Sequence, residues 1–116
     1  EKALKLFTED FPPPETAKEF FDRLVRGVIQ FQPRLDEIIE NFSSNWKIHR
    51  MSCVDRNILR IAAYEILYCS DIPDKVAINE AIDIGKRFGT DETGAFINGI
   101  LDSIRIAFEN KEITLL

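Results

Sequence analysis

The side chains able to form or break covalent bonds are few in this sequence. There is one histidine, His49, and there are two cysteines, Cys53 and Cys69. Any Ser-His or Cys-His nucleophile pair must therefore use His49, which lies between Trp46 and Arg50 in a polar stretch. Nothing adjacent supplies a third, orienting group, so His49 reads as a surface side chain. Cys53, Cys69 and His49 lack the paired spacings of a zinc site. Gly85, Gly89, Gly94 and Gly99 are scattered and form no phosphate loop. No catalytic group, metal or cofactor is implied, and a binding module is favoured over an enzyme.

Binding chemistry is better represented. The net charge is −5, which argues against a protein that attracts nucleic acid over its whole surface. The charge is uneven, however. Residues 1–42 are net −3 and residues 61–116 are net −5, whereas residues 43–60 hold Lys47, Arg50, Arg56 and Arg60 against Asp55 alone. Arg56 and Arg60 are four apart and share one helix face, a solvated one in the plain reading; the same spacing suits two phosphate contacts. Phe96 follows a polar turn, where it serves either as core or as a ring for stacking on a base. Asn79 and Glu80 interrupt an apolar helix and are expected to be buried and hydrogen-bonded. Gly99 lies in a helix, where close packing against a neighbour is the expected reason for it.

The elements that hold these groups are helical almost throughout, because apolar residues recur three and four apart. Residues 1–9 read as the end of a helix, and Pro12, Pro13 and Pro14 as a stiff connector. Thr16 caps the next helix, with Glu19 completing a capping box; its apolar face runs from Phe20 and Phe21 to Phe31. Pro33 marks a break or a new start, after which Leu35, Ile38, Ile39 and Phe42 resume the pattern. A polar turn follows, anchored by Trp46. Ser52 caps a helix whose buried stripe is Val54, Ile58, Ile61, Ala62, Ile66 and Leu67. Asp74 caps the next, packed through Val76, Ala77, Ile78, Ala81, Ile82, Gly85 and Phe88, and Gly89 ends it in the left-handed conformation. Thr90 or Asp91 caps the last long helix, and residues 110–116 fray. The chain thus reads as one all-α domain over 1–116, a compact bundle of five to six helices. No apolar run is long enough to cross a membrane. Cys53 and Cys69 lie roughly 24 Å apart if one helix carries both; unpaired buried thiols of this kind fit a reducing cytoplasm.

Three strings carry a family resemblance. Asn45 and Trp46 lead into Val54, Asp55 and Arg56, then Ile58, Leu59 and Arg60, and then Ala63, Tyr64 and Glu65. Ile72 and Pro73 precede Lys75 to Ala81 (KVAINEA) and Lys86 to Gly89 (KRFG). Phe96 to Asp102 (FINGILD) completes the set. In order and spacing, over residues 15 to 106, they resemble the NusB family of transcription antitermination factors. The resemblance implies a NusB-like helical bundle and a bacterial, cytoplasmic factor. Its implied partners are boxA RNA and the small-subunit ribosomal protein NusE, and through them other Nus factors and RNA polymerase. The pair would promote read-through of terminators, notably in ribosomal RNA operons. It also implies a basic, arginine-rich first helix that this sequence does not include, so the domain is expected to be N-terminally incomplete. Carried onto this chain, the RNA-binding candidates are Lys47, Arg56, Arg60, Glu92 and Phe96, and the partner-binding candidate is Asp55. Two alternatives stay open. One is the NusB-like domain of a ribosomal RNA cytosine methyltransferase, which needs a large cofactor domain after residue 116. The other is a homodimer that uses the RNA surface for self-association.

Overall fold

The computed structural model describes residues 16–44 and 46–115. The expected helix end at 1–9, the proline connector and Asn45 lie outside these residues. The described part is all-α, with four long helices: α1 (Ala17–Phe42), α2 (Cys53–Tyr68), α3 (Asp74–Phe88) and α4 (Asp91–Glu109). A short 3-10 turn, Ile48–Arg50, precedes α2.

Each start has a local cause. The Thr16 hydroxyl accepts from the Glu19 backbone N–H at 3.1 Å and donates to the Glu19 carboxylate at 3.0 Å. The Ser52 hydroxyl accepts from the Asp55 N–H at 3.0 Å. Thr90 and Thr93 cap each other reciprocally, each side chain taking the other's backbone N–H. These bonds satisfy donors that the first turn of a helix leaves orphaned. The start of α3 differs from expectation: Pro73 is the cap and Asp74 is the first helical residue. Its carboxylate still sits at the positive end of the helix.

Pro33 does not divide the second pattern. It lies inside α1, which runs 26 residues without a break. Proline donates no bond to the carbonyl of Ile29, but Pro33 and Ile29 are both exposed, so the interruption falls on the solvent side. Packing holds the helix on both sides of it. Phe31 stacks on Tyr68 with ring centroids 4.3 Å apart, and Leu35, Ile38 and Ile39 enter the core.

The central element is α2, which touches the other three helices. Ile58, Leu59, Ala62, Ala63, Tyr64, Glu65, Ile66 and Leu67 are all buried, so this helix is enclosed on nearly every side through its middle. Leu59 meets Leu35, Ile38 and Ile39 of α1 and Ile97, Leu101 and Ile104 of α4 in one core. The crossing of α1 and α2 is close: a Cβ at Gly27 would lie 2.0 Å from Tyr64 Cζ and 2.2 Å from its hydroxyl oxygen. One ion pair braces the same interface, and a second ties α1 to the loop after α2. Arg60 holds Asp36 through Nε at 2.7 Å and Nη2 at 2.9 Å, and Arg23 holds Asp71 at 3.0 Å.

Several apolar residues expected inside face solvent. Val54 and Ile61 on α2, Val76 and Phe88 on α3, and Phe21, Val25 and Ile29 on α1 are exposed. Asn79 and Glu80 are exposed too, and so need no buried partners. Cys69 is buried but Cys53 is exposed; burial pushes the Cys69 thiol up, away from the thiolate form a nucleophile needs. Gly89 is not left-handed, with φ −133°. A Cβ there would lie 2.6 Å from Thr93 Oγ1 and 2.8 Å from the Gly85 carbonyl, so crowding by the cap of α4 accounts for glycine. The left-handed stop occurs instead after α4, at Lys111 (φ 62°), where the Glu112 N–H reaches back to the Ala107 carbonyl at 2.8 Å. The tail beyond it does not fray. Ile113 and Leu115 pack against the core, and Arg34 Nε donates to the Thr114 carbonyl at 3.0 Å.

Glu65 is the one buried carboxylate among the described residues. Burial pushes its carboxyl up to about 7; the Glu80 carboxylate adds to this and the Arg23 guanidinium opposes it. The folded state therefore holds more protons than the unfolded chain between the ordinary value of 4.5 and about 7, and stability falls as pH rises through that window. Glu65→Gln is expected to remove this slope and to exceed the wild type in stability near pH 8 by on the order of 2 kcal/mol. Urea denaturation at acidic and alkaline pH checks this, and equal slopes in the two proteins would refute it. At the helix crossing, Gly27→Ala must displace Tyr64 and is expected to cost about 2–3 kcal/mol by overpacking, measurable in the same denaturation series.

Candidate nucleic-acid interface

The end of α1 and the start of α4 converge on one aromatic pair. After α1 the chain turns at Ser43 and at Ser44, whose φ of 54° lies in the left-handed region. The Ser43 hydroxyl donates to the Trp46 carbonyl at 2.8 Å, and the Glu40 carboxylate accepts from the Ile48 N–H at 3.3 Å. These bonds hold the turn that carries Trp46. Its ring meets Phe96, in the second turn of α4, edge to face, with centroids 6.4 Å apart and planes at 75°. Trp46 is 53% exposed and Phe96 is half-buried. Phe96 therefore packs on the core margin and still shows part of its ring.

A hollow of about 260 Å³ opens on one side of this pair. Asp55 and Glu92 line it together with Arg50, Thr93 and the two rings. The N-termini of α2 and α4 both reach it through their caps, Ser52 and Thr90. Both carboxylates lie in the first turn of their helix, where the partial positive charge of the helix end favours an anion. That accounts for two acids beside a binding surface without requiring either to act on a ligand. A second hollow, of about 440 Å³, lies on the other side of the pair, between the Ser43–Ser44 turn and α4.

The structure brings some of the expected residues together and separates others. Asp55, Glu92 and Phe96 share the first hollow, and Lys47 is exposed immediately after Trp46 in the chain. Arg56 is half-buried, and its Nε is enclosed with no hydrogen-bond partner among the described residues. Arg60 departs from the expectation of a solvated cation. Its guanidinium is committed to Asp36 by two bonds, and it lines an apolar hollow between α1 and α2 beside Phe21 and Ile61. Two participants were not singled out from sequence, Trp46 as a wall of the site and Arg50 as its cation. The signal was present, since Trp46 stands in a polar turn, Ser43 to Lys47, outside any predicted helix. Among the described residues no three of His, Cys, Asp and Glu converge on a metal position, and no helix is long and apolar enough to cross a membrane.

Comparison with known proteins places this geometry. The model of the NusB family matches residues 1–105. The transcription antitermination protein NusB of Desulfatibacillum aliphaticivorans is 59% identical over 111 residues, covering 96% of this chain and 78% of that protein. The protein of the same name from Geobacter sulfurreducens is 48% identical over 103 residues, covering 89% and 75%. Among solved structures, T. maritima NusB superposes with a TM-score of 0.77 at 42% identity, covering 87% of this chain and 73% of the other. A chain from a crystal structure described as a plectonemic RNA supercoil also gives 0.77, at 26% identity, covering 90% and 76%.

The ring contact itself is measurable. A double-mutant cycle on Trp46→Ala and Phe96→Ala is expected to return a coupling of about 0.5–1.5 kcal/mol in urea denaturation, the usual worth of an edge-to-face pair. Strictly additive single changes would show that the two rings do not support each other.

Proposed function

The chain belongs to the NusB family, and from that premise we propose that it is a transcription antitermination factor that binds the boxA element of nascent RNA together with the ribosomal protein NusE. The observation that carries this reading is the 59% identity, over 96% of the chain, to a protein named for transcription antitermination. The geometry supplies a surface suited to the task. Phe96 presents a ring on which an unpaired base stacks, an interaction that does not depend on base identity. Glu92, beside it, accepts hydrogen bonds from base-edge amino groups. Lys47 and Arg56 take backbone phosphates. Asp55, at the start of α2, meets NusE, so that the protein and RNA contacts adjoin across one hollow. Arg60, held by Asp36, supports the α1–α2 interface from which these groups project rather than meeting phosphate itself.

NusE is expected to add contact area beside the local cations, Lys47 and Arg56, that this surface offers to phosphate. Within the cell the complex acts on elongating RNA polymerase with other Nus factors, favouring read-through in ribosomal RNA operons. The protein is a binding factor and not an enzyme, in keeping with its relatives.

Fluorescence anisotropy with a boxA oligonucleotide tests the reading. Binding is expected only when NusE is present and is expected to weaken steeply with salt. Lys47→Ala should reduce the slope of log affinity against log salt by about 0.7. Phe96→Ala should cost about tenfold or more in affinity, and Asp55→Lys should abolish NusE binding even without RNA. Absence of NusE-dependent binding to boxA in the unaltered protein would overturn the proposal.

A further inference from the structure

Gly99 occupies the interior of α4, where glycine is the poorest helix former after proline. None of the usual reasons for it applies. No described glycine has a positive φ. A Cβ built on Gly99 would meet nothing within 4 Å, so no neighbouring helix requires the space. Gly99 is exposed and borders the second hollow, about 440 Å³, beside the Trp46–Phe96 pair. Gly99 lines it with both rings and with Ser44 and Ser103. None of its described lining residues is charged, whereas the first hollow contains Arg50, Asp55 and Glu92. The Ser103 hydroxyl donates to the Gly99 carbonyl at 2.9 Å, which fixes the hydroxyl and leaves its oxygen able to accept.

We infer that this second hollow is a seat for one unpaired base of single-stranded RNA, and that Gly99 is the residue that keeps it open. The inference rests on the RNA-binding reading above and adds a second base position to it. An uncharged hollow walled by two aromatic rings suits a flat, neutral base and not a phosphate. Lys47, exposed and next to Trp46 in the chain, is placed for the phosphate of the same nucleotide. Phe96 thus separates two positions, one on each side of the aromatic pair. Ser103 Oγ accepts from a base amino group, and the exposed Ser44 hydroxyl is free to donate or accept.

Gly99→Gln separates this from a structural role. Glutamine is a far better helix former and enters open space, so the variant is expected to unfold about 4 °C or more above the wild type. Its affinity for boxA RNA in the presence of NusE is expected to fall about tenfold, the scale of one lost stacked base. Trp46 is the one tryptophan of this sequence, and its quenching at saturating RNA is expected to be reduced. Gly99→Ala, which adds one carbon, should raise the unfolding temperature with a smaller loss of affinity, and keeps the test sound if glutamine disturbs the fold. A stabilised variant with unchanged RNA affinity and unchanged quenching would overturn the base seat. If Phe96→Ala still lost RNA in that case, the RNA-binding reading would stand alone. Loss of NusE binding by Gly99→Gln without RNA would assign the hollow to the protein partner and likewise overturn the inference. No RNA binding by the unaltered protein would remove both.

Discussion

Tyr64 lies across Gly27, and the depth of that crossing sets the position of α1 relative to everything else. With any side chain at Gly27, the phenol end of Tyr64 would have to move. The Phe31–Tyr68 stack and the Arg60–Asp36 pair hold the same two helices together. The consequence extends beyond the crossing, because α1 is long. Its last turn carries Ser43 and the loop to Trp46, so an angular change at Gly27 is magnified at the aromatic pair. The site is therefore held from a distance. The core fixes α2, α2 fixes α1, and the end of α1 presents Trp46 to Phe96.

Two helix N-termini, two acids and one arginine share the first hollow, and their balance is close to neutral. Helix ends are natural positions for Asp55 and Glu92, which is why carboxylates persist at a surface proposed to meet RNA. The cost to phosphate binding is local: Arg50 offsets it within the hollow, and Lys47 stands outside the hollow's lining on the same turn. The rings and the exposed lysine thus occupy neighbouring but distinct positions. This separation suits a factor that recognises unpaired nucleotides more than one that grips a duplex backbone.

What could be read from the chain divides along the range of the interactions responsible. The caps at Thr16, Ser52 and Thr90 were legible because each is settled within three residues. Pro33 was misread as a boundary because the forces that carry the helix through it come from Tyr68 and from the core around Leu59, far away in sequence. Asp74 and Gly89 followed sound local rules but lost to their neighbours, Pro73 taking the cap and Thr93 crowding the glycine. Val54, Ile61, Val76 and Phe88 fit a helical stripe, yet periodicity cannot state how wide the covered face is. Arg60 looked like a free cation because Asp36, its partner, is 24 residues away. The family strings were legible at once. The candidate site was legible in part: Asp55, Glu92 and Phe96 do share one hollow, whereas the places of Trp46 and Gly99 beside a second one depend on space that only the folded chain encloses.

The clasp between Arg34 and Thr114 joins residues 80 apart in sequence. Most other contacts in the bundle link helices adjacent in the chain, and such pairs close quickly because little loop entropy is lost. A contact of this span forms only once the intervening helices have come together. The tail is thus the last part to seat, over a bundle that the contacts of α4 with α1 and α2 have already gathered.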